Sequence, residues 1–357
     1  MHVAYYVTGH GFGHGIRTCA VCNRFNNDVK ITIRTSLPRR LFDEELKREF
    51  AFVSGELDCG CIQKDSVTVD IEATARRYME IDAVNAERLS AHLTWARDSR
   101  VDVIVGDITP FAFEVARAAG VPSVGVSNFS WLDIYAPYVS IVPSFRFCVE
   151  HIRRQYESAD LALALTPQNE LQGFRRRENM GIVGRRGRNR SEAIRERLGI
   201  SRDKGLALIY LGTFGLDAAT WERLEELAGW EFLGIHSLPV TARNFHEIDK
   251  TAFRYEDLCA SVDCVISKLG YGVYSECLLN GTPLVYIGRT DFAEFPVLEG
   301  SVREWGHGRR LETGQFLSLD WTDVLDHIRG GRRPSPIPDT AASDCAARIE
   351  LLARKGA

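Results

Sequence analysis

Twice in this chain an apolar run leads straight into a glycine-rich turn and then a helix-forming segment. Val3-Ala4-Tyr5-Tyr6-Val7 precedes the loop Gly9-His10-Gly11-Phe12-Gly13-His14-Gly15, with a helix expected over residues 16–25. Residues 262–267, VDCVIS, precede Lys268-Leu269-Gly270-Tyr271-Gly272, and Val273-Tyr274-Ser275-Glu276 opens the next helix. A strand, a tight turn and a helix in series form the first half of a βαβ unit, which buries the strand on both faces of a parallel sheet. The same alternation recurs around each turn. In the first half, strands are expected at 29–35, 51–55, 67–71, 101–107, 121–128 and 161–166, and helices at 41–50, 73–99, 111–120 and 145–158. A second block runs through 205–212, 230–236, 262–268 and 283–288. The fold class predicted is α/β, two Rossmann-like βαβ domains facing across a cleft.

Residues 168–204 are rich in Arg, Gly and Asn, and they break the alternation. The expected division is therefore an N-terminal acceptor-side domain at 1–170 and a C-terminal domain at 171–338. A terminal helix at 339–357 is expected to pack back on the first domain. A chain of 357 residues supports two cores of ordinary size. Its net charge of −4 argues against electrostatic nucleic-acid binding, and the basic clusters at 174–178 and 185–190 read as solvated linker faces. No apolar run approaches the ~18 residues of a membrane helix, and no basic flank precedes the first strand. With nine cysteines read as reduced thiols, the expected location is cytoplasmic. Cys19-x-x-Cys22 and Cys59-Gly-Cys61 lack the flanking pattern of a zinc knuckle, and no metal site is assigned. Oligomeric state is not legible.

Ligands of open parallel sheets bind at the carboxyl ends of the strands. Three candidates lie there in the first half: the glycine-histidine loop, Asp107 at the end of a buried strand, and SNFSW (127–131) with Asp133 beyond it. A histidine takes a proton near neutrality, so the loop reads as a place where a substrate is held and deprotonated. Two readings of Asp107 stay open, an orienting carboxylate for a loop histidine or a cap for the helix beginning near Phe111. The loop is no dinucleotide fingerprint, because His14 stands where the third glycine of G-x-G-x-x-G belongs, and it lacks the G-K-S/T of a Walker loop. In the second half, Gly270 and Gly272 let backbone approach a diphosphate at a helix N-terminus. Glu276 is positioned to accept from a ribose diol, and Asp291 and Glu294 follow a strand end, placed to meet sugar hydroxyls.

These residues carry a family resemblance. KLGYGVYSE (268–276) resembles the G-x-(S/T)-x-x-E turn of the GT-B glycosyltransferases, which holds the nucleotide diphosphate and ribose. GHGFGH is similar to the acceptor-side loop of the cell-wall N-acetylglucosaminyltransferases, and Asp107 matches the aspartate that supports the catalytic histidine in plant-type glycosyltransferases. Over nearly the whole length, YYVTGHGFGHGIR, SNFSWLDIYAPYV and ISKLGYGVYSECLLNGTPLVYI look like the glycosyltransferase-like N-terminal region of plant L-arabinokinases and their free-standing bacterial relatives. No second Gly/Ser-rich ATP loop follows, so sugar phosphorylation is not carried over.

The resemblance implies His14 as catalytic base with Asp107 stabilising its imidazolium. It implies an acceptor side built from Gly9, His10, Gly11, Gly13, Asn128, Trp131 and Asp133, with His10 shaping the loop or touching the acceptor. It implies a donor side built from Gly212, Thr213, Lys268, Gly270, Tyr271, Gly272, Ser275, Glu276, Asp291 and Glu294, with the nucleobase near Phe253 and Tyr255. GTFG at 212–215 departs from the Gly-Ser turn of many GT-B enzymes. The expected activity is transfer of a sugar from a UDP- or GDP-linked donor to a small-molecule or glycan acceptor, inverting, and metal-independent for want of a D-x-D clamp. Nucleotide-sugar hydrolysis or epimerisation, or non-catalytic binding of a sugar nucleotide, are the alternatives.

Overall fold

The computed structural model describes residues 1–64, 68–211, 218–239, 241–288 and 292–355, apart from the side chains of 218 and 219. The chain divides into two compact units. The first comprises Met1–Gly184, Asp291–Val297 and Thr340–Ala357; the second comprises Arg185–Thr290 and Leu298–Asp339.

Among the described residues the first unit holds a seven-stranded sheet. Its strands are β1 (His2–Val7), β2 (Lys30–Thr35), β3 (Ala51–Ser54), β4 (Val103–Asp107), β5 (Ser123–Ser127), β6 (Leu161–Leu165) and β7 (Arg177–Met180). Their order is β3-β2-β1-β4-β5-β6-β7, and every pairing is parallel. The order reverses between β1 and β4, where Val7 is in register with Asp107. In such a sheet that reversal opens the crevice that receives ligands. Central strands are buried along their whole length, β4 and β5 without exception, which is why they read as unbroken apolar runs.

The second unit repeats the design with β8 (Gly205–Tyr210), β9 (Trp230–Gly234), β10 (Phe245–Glu247), β11 (Cys264–Lys268), β12 (Leu284–Ile287) and β13 (Gly308–Leu311). The order is β10-β9-β8-β11-β12-β13, again all parallel, with its reversal between β8 and β11. A core around Trp221, Trp230, Phe232 and Trp321 fills one side of this sheet.

Several expectations are corrected. Of the strand expected at 67–71, residue 67 lies outside the described residues and Val69 makes an isolated bridge with Gln63, while Asp70 accepts from the Ala73 N–H at 2.9 Å and so caps a helix that starts at Ile71. The unit boundary lies at Gly184, not 170, because β7 hydrogen-bonds along β6 and extends the first sheet. In the 185–190 cluster Arg186, Arg188, Asn189 and Arg190 are exposed as expected, but the backbone is tied to the second unit. Gly187 donates to Asn280 Oδ1 at 2.8 Å, and the backbone N–H groups of Arg188 and Arg190 donate to Asp257 and Ser261 at 2.7 Å each. A Cβ on Gly187 would stand 1.9 Å from the Glu256 carbonyl oxygen, so only glycine permits this approach. The terminal helix Ala341–Lys355 belongs to the first unit, where Arg348 grips Glu178 through bonds of 2.5 and 2.6 Å.

Candidate active site

The glycine-histidine loop turns from the end of β1 into the helix Phe12–Cys22, whose N-cap is the extended Gly11 with no side-chain cap. The helix axis fixes where His14 and Arg17 point, since residues three apart share a face. His14 Nδ1 lies 2.8 Å from Asp107 Oδ1. Arg17 closes on the same carboxylate from the other side, Nε to Oδ2 at 2.7 Å and Nη2 to Oδ1 at 2.6 Å. Arg17 Nη2 also lies 2.9 Å from His14 Nδ1. A carboxylate only accepts, so the Nδ1 proton is assigned toward Asp107, leaving the lone pair on Nε2. Asp107 is wholly buried while the His14 side chain keeps 11% of its exposure.

Charge balance decides the resting state. Burial and then the Arg17 charge lower the His14 pKa below its ordinary value, and the pull of Asp107 upward does not offset them. Burial works to raise Asp107, but Arg17 and His14 outweigh it and hold the carboxyl below the usual range. His14 is thus a neutral imidazole at neutral pH, with Nδ1 against an ionised carboxylate. Among the described residues Asp107 caps no helix; the helix Phe111–Ala119 has Pro110 at its N-cap and no side-chain cap.

Arg17 was not singled out in the sequence, although its spacing of three from His14 on one helix was readable. From Arg17 a buried chain continues: Nη1 donates to Asn128 Oδ1 at 2.7 Å, and Asn128 Nδ2 donates to Glu294 Oε1 at 2.6 Å. Glu294, expected on the donor side, groups with the first unit. Asp58, also missed, sits in a loop with no recognisable pattern. It receives the Thr8 hydroxyl at 2.6 Å and the Thr109 hydroxyl at 2.8 Å, tying the segment after β3 to the ends of β1 and β4. Burial raises its pKa to about 6, with the hydroxyl bonds opposing.

Other acceptor-side expectations fall into the interior. Asn128 and Trp131 have no exposed surface, and Asp133 keeps 5%. Asp133 is occupied by the N–H and hydroxyl of Ser130 in a capping box and by the N–H of Gln172 at 3.1 Å, so it holds the loop rather than reaching outward. His10 is wedged between Trp131 (centroids 5.1 Å apart, edge-on) and Phe292 (5.9 Å, stacked), and its Nδ1 accepts the Cys61 N–H at 3.2 Å. Gly60 has φ +58°, and a Cβ there would meet the His10 ring at 2.5 Å. A Cβ on Gly9 would strike Ser36 Oγ. At Gly11 and Gly13 a Cβ would meet nothing within 4 Å among the described residues, so no described packing explains those glycines.

In the second unit the helix Tyr271–Asn280 begins at extended Gly270, again with no side-chain cap and no acid in its first turn. Its first turn lies at the positive end of the helix dipole. A Cβ on Gly270 too would meet nothing within 4 Å among the described residues. Glu276 is buried at 3% exposure, so it is no first-turn surface acid; its Oε1 takes the Arg185 Nε at 2.5 Å. Arg185, expected on a solvated linker face, also lies over the Tyr255 ring at 5.3 Å, and Tyr255 packs on Tyr210 at 4.7 Å. The Tyr255 hydroxyl is buried with no hydrogen-bond partner among the described residues. Ser275 donates to the Gly272 carbonyl at 2.9 Å, while Tyr271 is buried, Phe253 is buried under Arg190 and Lys268 is half-buried. Gly212, Thr213 and Asp291 lie outside the described residues. No helix among the described residues is long and apolar enough to cross a membrane.

No family model matches the chain. It is similar to L-arabinokinase of Arabidopsis thaliana, 32% identical over 333 residues, covering 90% of this chain and 32% of that protein. The chain thus spans about a third of the length of the curated relative it matches. Among solved structures, the calicheamicin glycosyltransferase CalG4 superposes with a TM-score of 0.65 at 15% identity, covering 100% of this chain and 99% of that one. UGT2 of Phytolacca americana, complexed with UDP-2fluoro-glucose and pterostilbene, gives 0.60 at 11% identity, covering 99% and 93%. The chain has the GT-B glycosyltransferase fold.

Proposed function

We propose that this chain transfers a sugar from a nucleotide diphosphate sugar to a hydroxyl-bearing acceptor, with inversion at the anomeric carbon. The observation that carries the proposal is the neutral His14, oriented through Nδ1 by a buried, arginine-clamped Asp107. The acceptor hydroxyl gives its proton to Nε2 of His14 as its oxygen bonds to the anomeric carbon. The bond from that carbon to the diphosphate oxygen breaks, and the diphosphate leaves with the electron pair. The imidazolium so formed faces Asp107, which stabilises it.

The leaving charge is assigned to the N–H groups opening the helix Tyr271–Asn280, where preorganised donors act without reorganisation. The Arg185–Glu276 pair and Tyr255 are assigned to the nucleoside. A UDP- or GDP-linked donor fits this reading, and UDP-2fluoro-glucose in the Phytolacca americana complex favours uridine. Since backbone amides carry the diphosphate charge, transfer is expected to proceed undiminished in EDTA. Activity lost to the chelator and restored by Mn²⁺ would count against that assignment.

A thermal-shift screen of UDP, GDP, ADP and their sugars tests the donor site. A nucleotide at ~100 times its Kd adds about 2.7 kcal/mol to the folded state, a rise of several degrees. No shift with any of them overturns the donor assignment. Sugar release without an acceptor would identify hydrolysis instead.

A further inference from the structure

Arg34 is a buried charge that the mechanism above does not use. It is the penultimate residue of β2 and keeps 8% of its exposure. Its guanidinium lies 3.7 Å over the ring of Trp95, on the helix Ile71–Asp98, and 5.7 Å from the ring of Tyr6 on β1. Aromatic rings cover the faces of a guanidinium and leave its N–H edge unanswered. Among the described residues that edge meets no carboxylate and no carbonyl oxygen, and Nε is enclosed without a hydrogen-bond partner. Glu56, on the segment after β3, is held by Arg77 at 2.5 Å. Burial lowers the Arg34 pKa, and no carboxylate is among the groups that oppose it.

The same positive charge reaches its neighbours. The Tyr6 hydroxyl lies 2.9 Å from His92 Nδ1, and burial, then Arg34, then Arg88 push the His92 pKa down to about 4. Arginine does not escape burial by losing its proton, so a buried guanidinium without a counter-charge costs free energy that an arriving anion would recover.

We propose that Arg34 forms an oxyanion site at the edge of the first sheet, taking a phosphate or carboxylate group on its N–H fork, with the exposed Arg88 as a second charge. The spacing of the fork matches two oxygens of either group. A ligand reaches it from edge strand β3, where Val53, in register with Arg34, is 36% exposed. Arg34 is in register with Tyr6, whereas Asp107 is in register with Val7, so the two side chains leave opposite faces of the sheet. The site is therefore separate from the His14–Asp107 pair and does not rest on the transfer reading.

The Arg34 Nε–H resonance of the full chain, labelled with ¹⁵N-arginine and assigned by its loss in Arg34→Lys, reports directly on the site. It is titrated with inorganic phosphate and separately with acetate, with sodium chloride holding the ionic strength constant. A saturable shift is expected. Phosphate alone producing it assigns a phosphorylated ligand, and acetate producing it assigns a carboxylate one. Arg88→Gln is expected to weaken binding ~2–5-fold, as for an exposed charge. Val53→Glu sets a carboxylate beside Arg34 on the ladder at an exposed position, where folding is least at risk. It is expected to weaken anion binding ~10-fold or more and to raise the thermal midpoint, while Val53→Gln leaves both near wild type. An Arg34 resonance that moves with neither anion, or moves equally in Val53→Glu, overturns the site.

Discussion

Replacing His14 by alanine is expected to lower turnover ~10²–10⁴-fold while nucleotide affinity stays unchanged. The basis is spatial: His14 belongs to the first unit, whereas the nucleotide is assigned to the helix N-terminus after β11 in the second. Steady-state kinetics and nucleotide titration on the same preparation check both halves. In the wild type, kcat/KM should fall on the acid side with an apparent pKa below ~6.5, the ordinary histidine value, because burial and Arg17 lower that of His14. An alanine variant with full turnover would reduce the loop to structure, and an acid limb above the ordinary histidine value would contradict the charge balance derived for the site.

Asp107 variants should separate stability from catalysis. Asp107→Ala strips the carboxylate from a buried guanidinium, and breaking a buried ion pair from one side costs about 3–5 kcal/mol. Arg17 is 4% exposed and cannot turn to water; Glu294, an amide away, compensates only in part. A large drop in thermal midpoint is expected. Asp107→Asn retains the shape and one acceptor, so it should fold with a smaller loss. Its turnover should still fall ~10²-fold or more, since the imidazolium loses its counter-charge and the tautomer is no longer fixed. Turnover retained in the asparagine variant would exclude Asp107 from the proton transfer. The pH dependence of stability follows the same groups. His14, with a folded-state pKa below its unfolded value, withdraws stability as pH falls through the unfolded histidine pKa of ~6.5. Asp107, also lowered, withdraws its contribution at still lower pH, as its carboxylate protonates.

The strands were legible because burial on both faces leaves unbroken apolar runs, as in residues 3–7 and 101–107. Segments that carry less of that signal went wrong. Val67–Ile71 has strand composition, yet Asp70 captured its end as a helix cap. The three-residue strand β10 and the half-exposed β7 have too few buried positions to show a period. Among the candidate site residues, His14, Asp107 and the turn at Gly270 stand out in the sequence because each lies at the carboxyl end of a strand in a βα unit. Asp133 and Trp131 lie at such a position too, but the local capping box and the aromatic core took them inward.

Sequence alone determined the two βαβ blocks, the glycine turns that open them, and the histidine and aspartate that meet beside β1 and β4. Those features are local, set by residue type and by spacing along one strand or helix. Tertiary structure decided the charge around them. Arg17, Asn128, Asp58, Glu294 and Arg185 acquire their partners across 50 to 166 positions of chain. No periodicity encodes a partner that distant. The protonation state of His14 rests on those partners, because in a buried site the balance of a few charges outweighs the intrinsic pKa of any one of them.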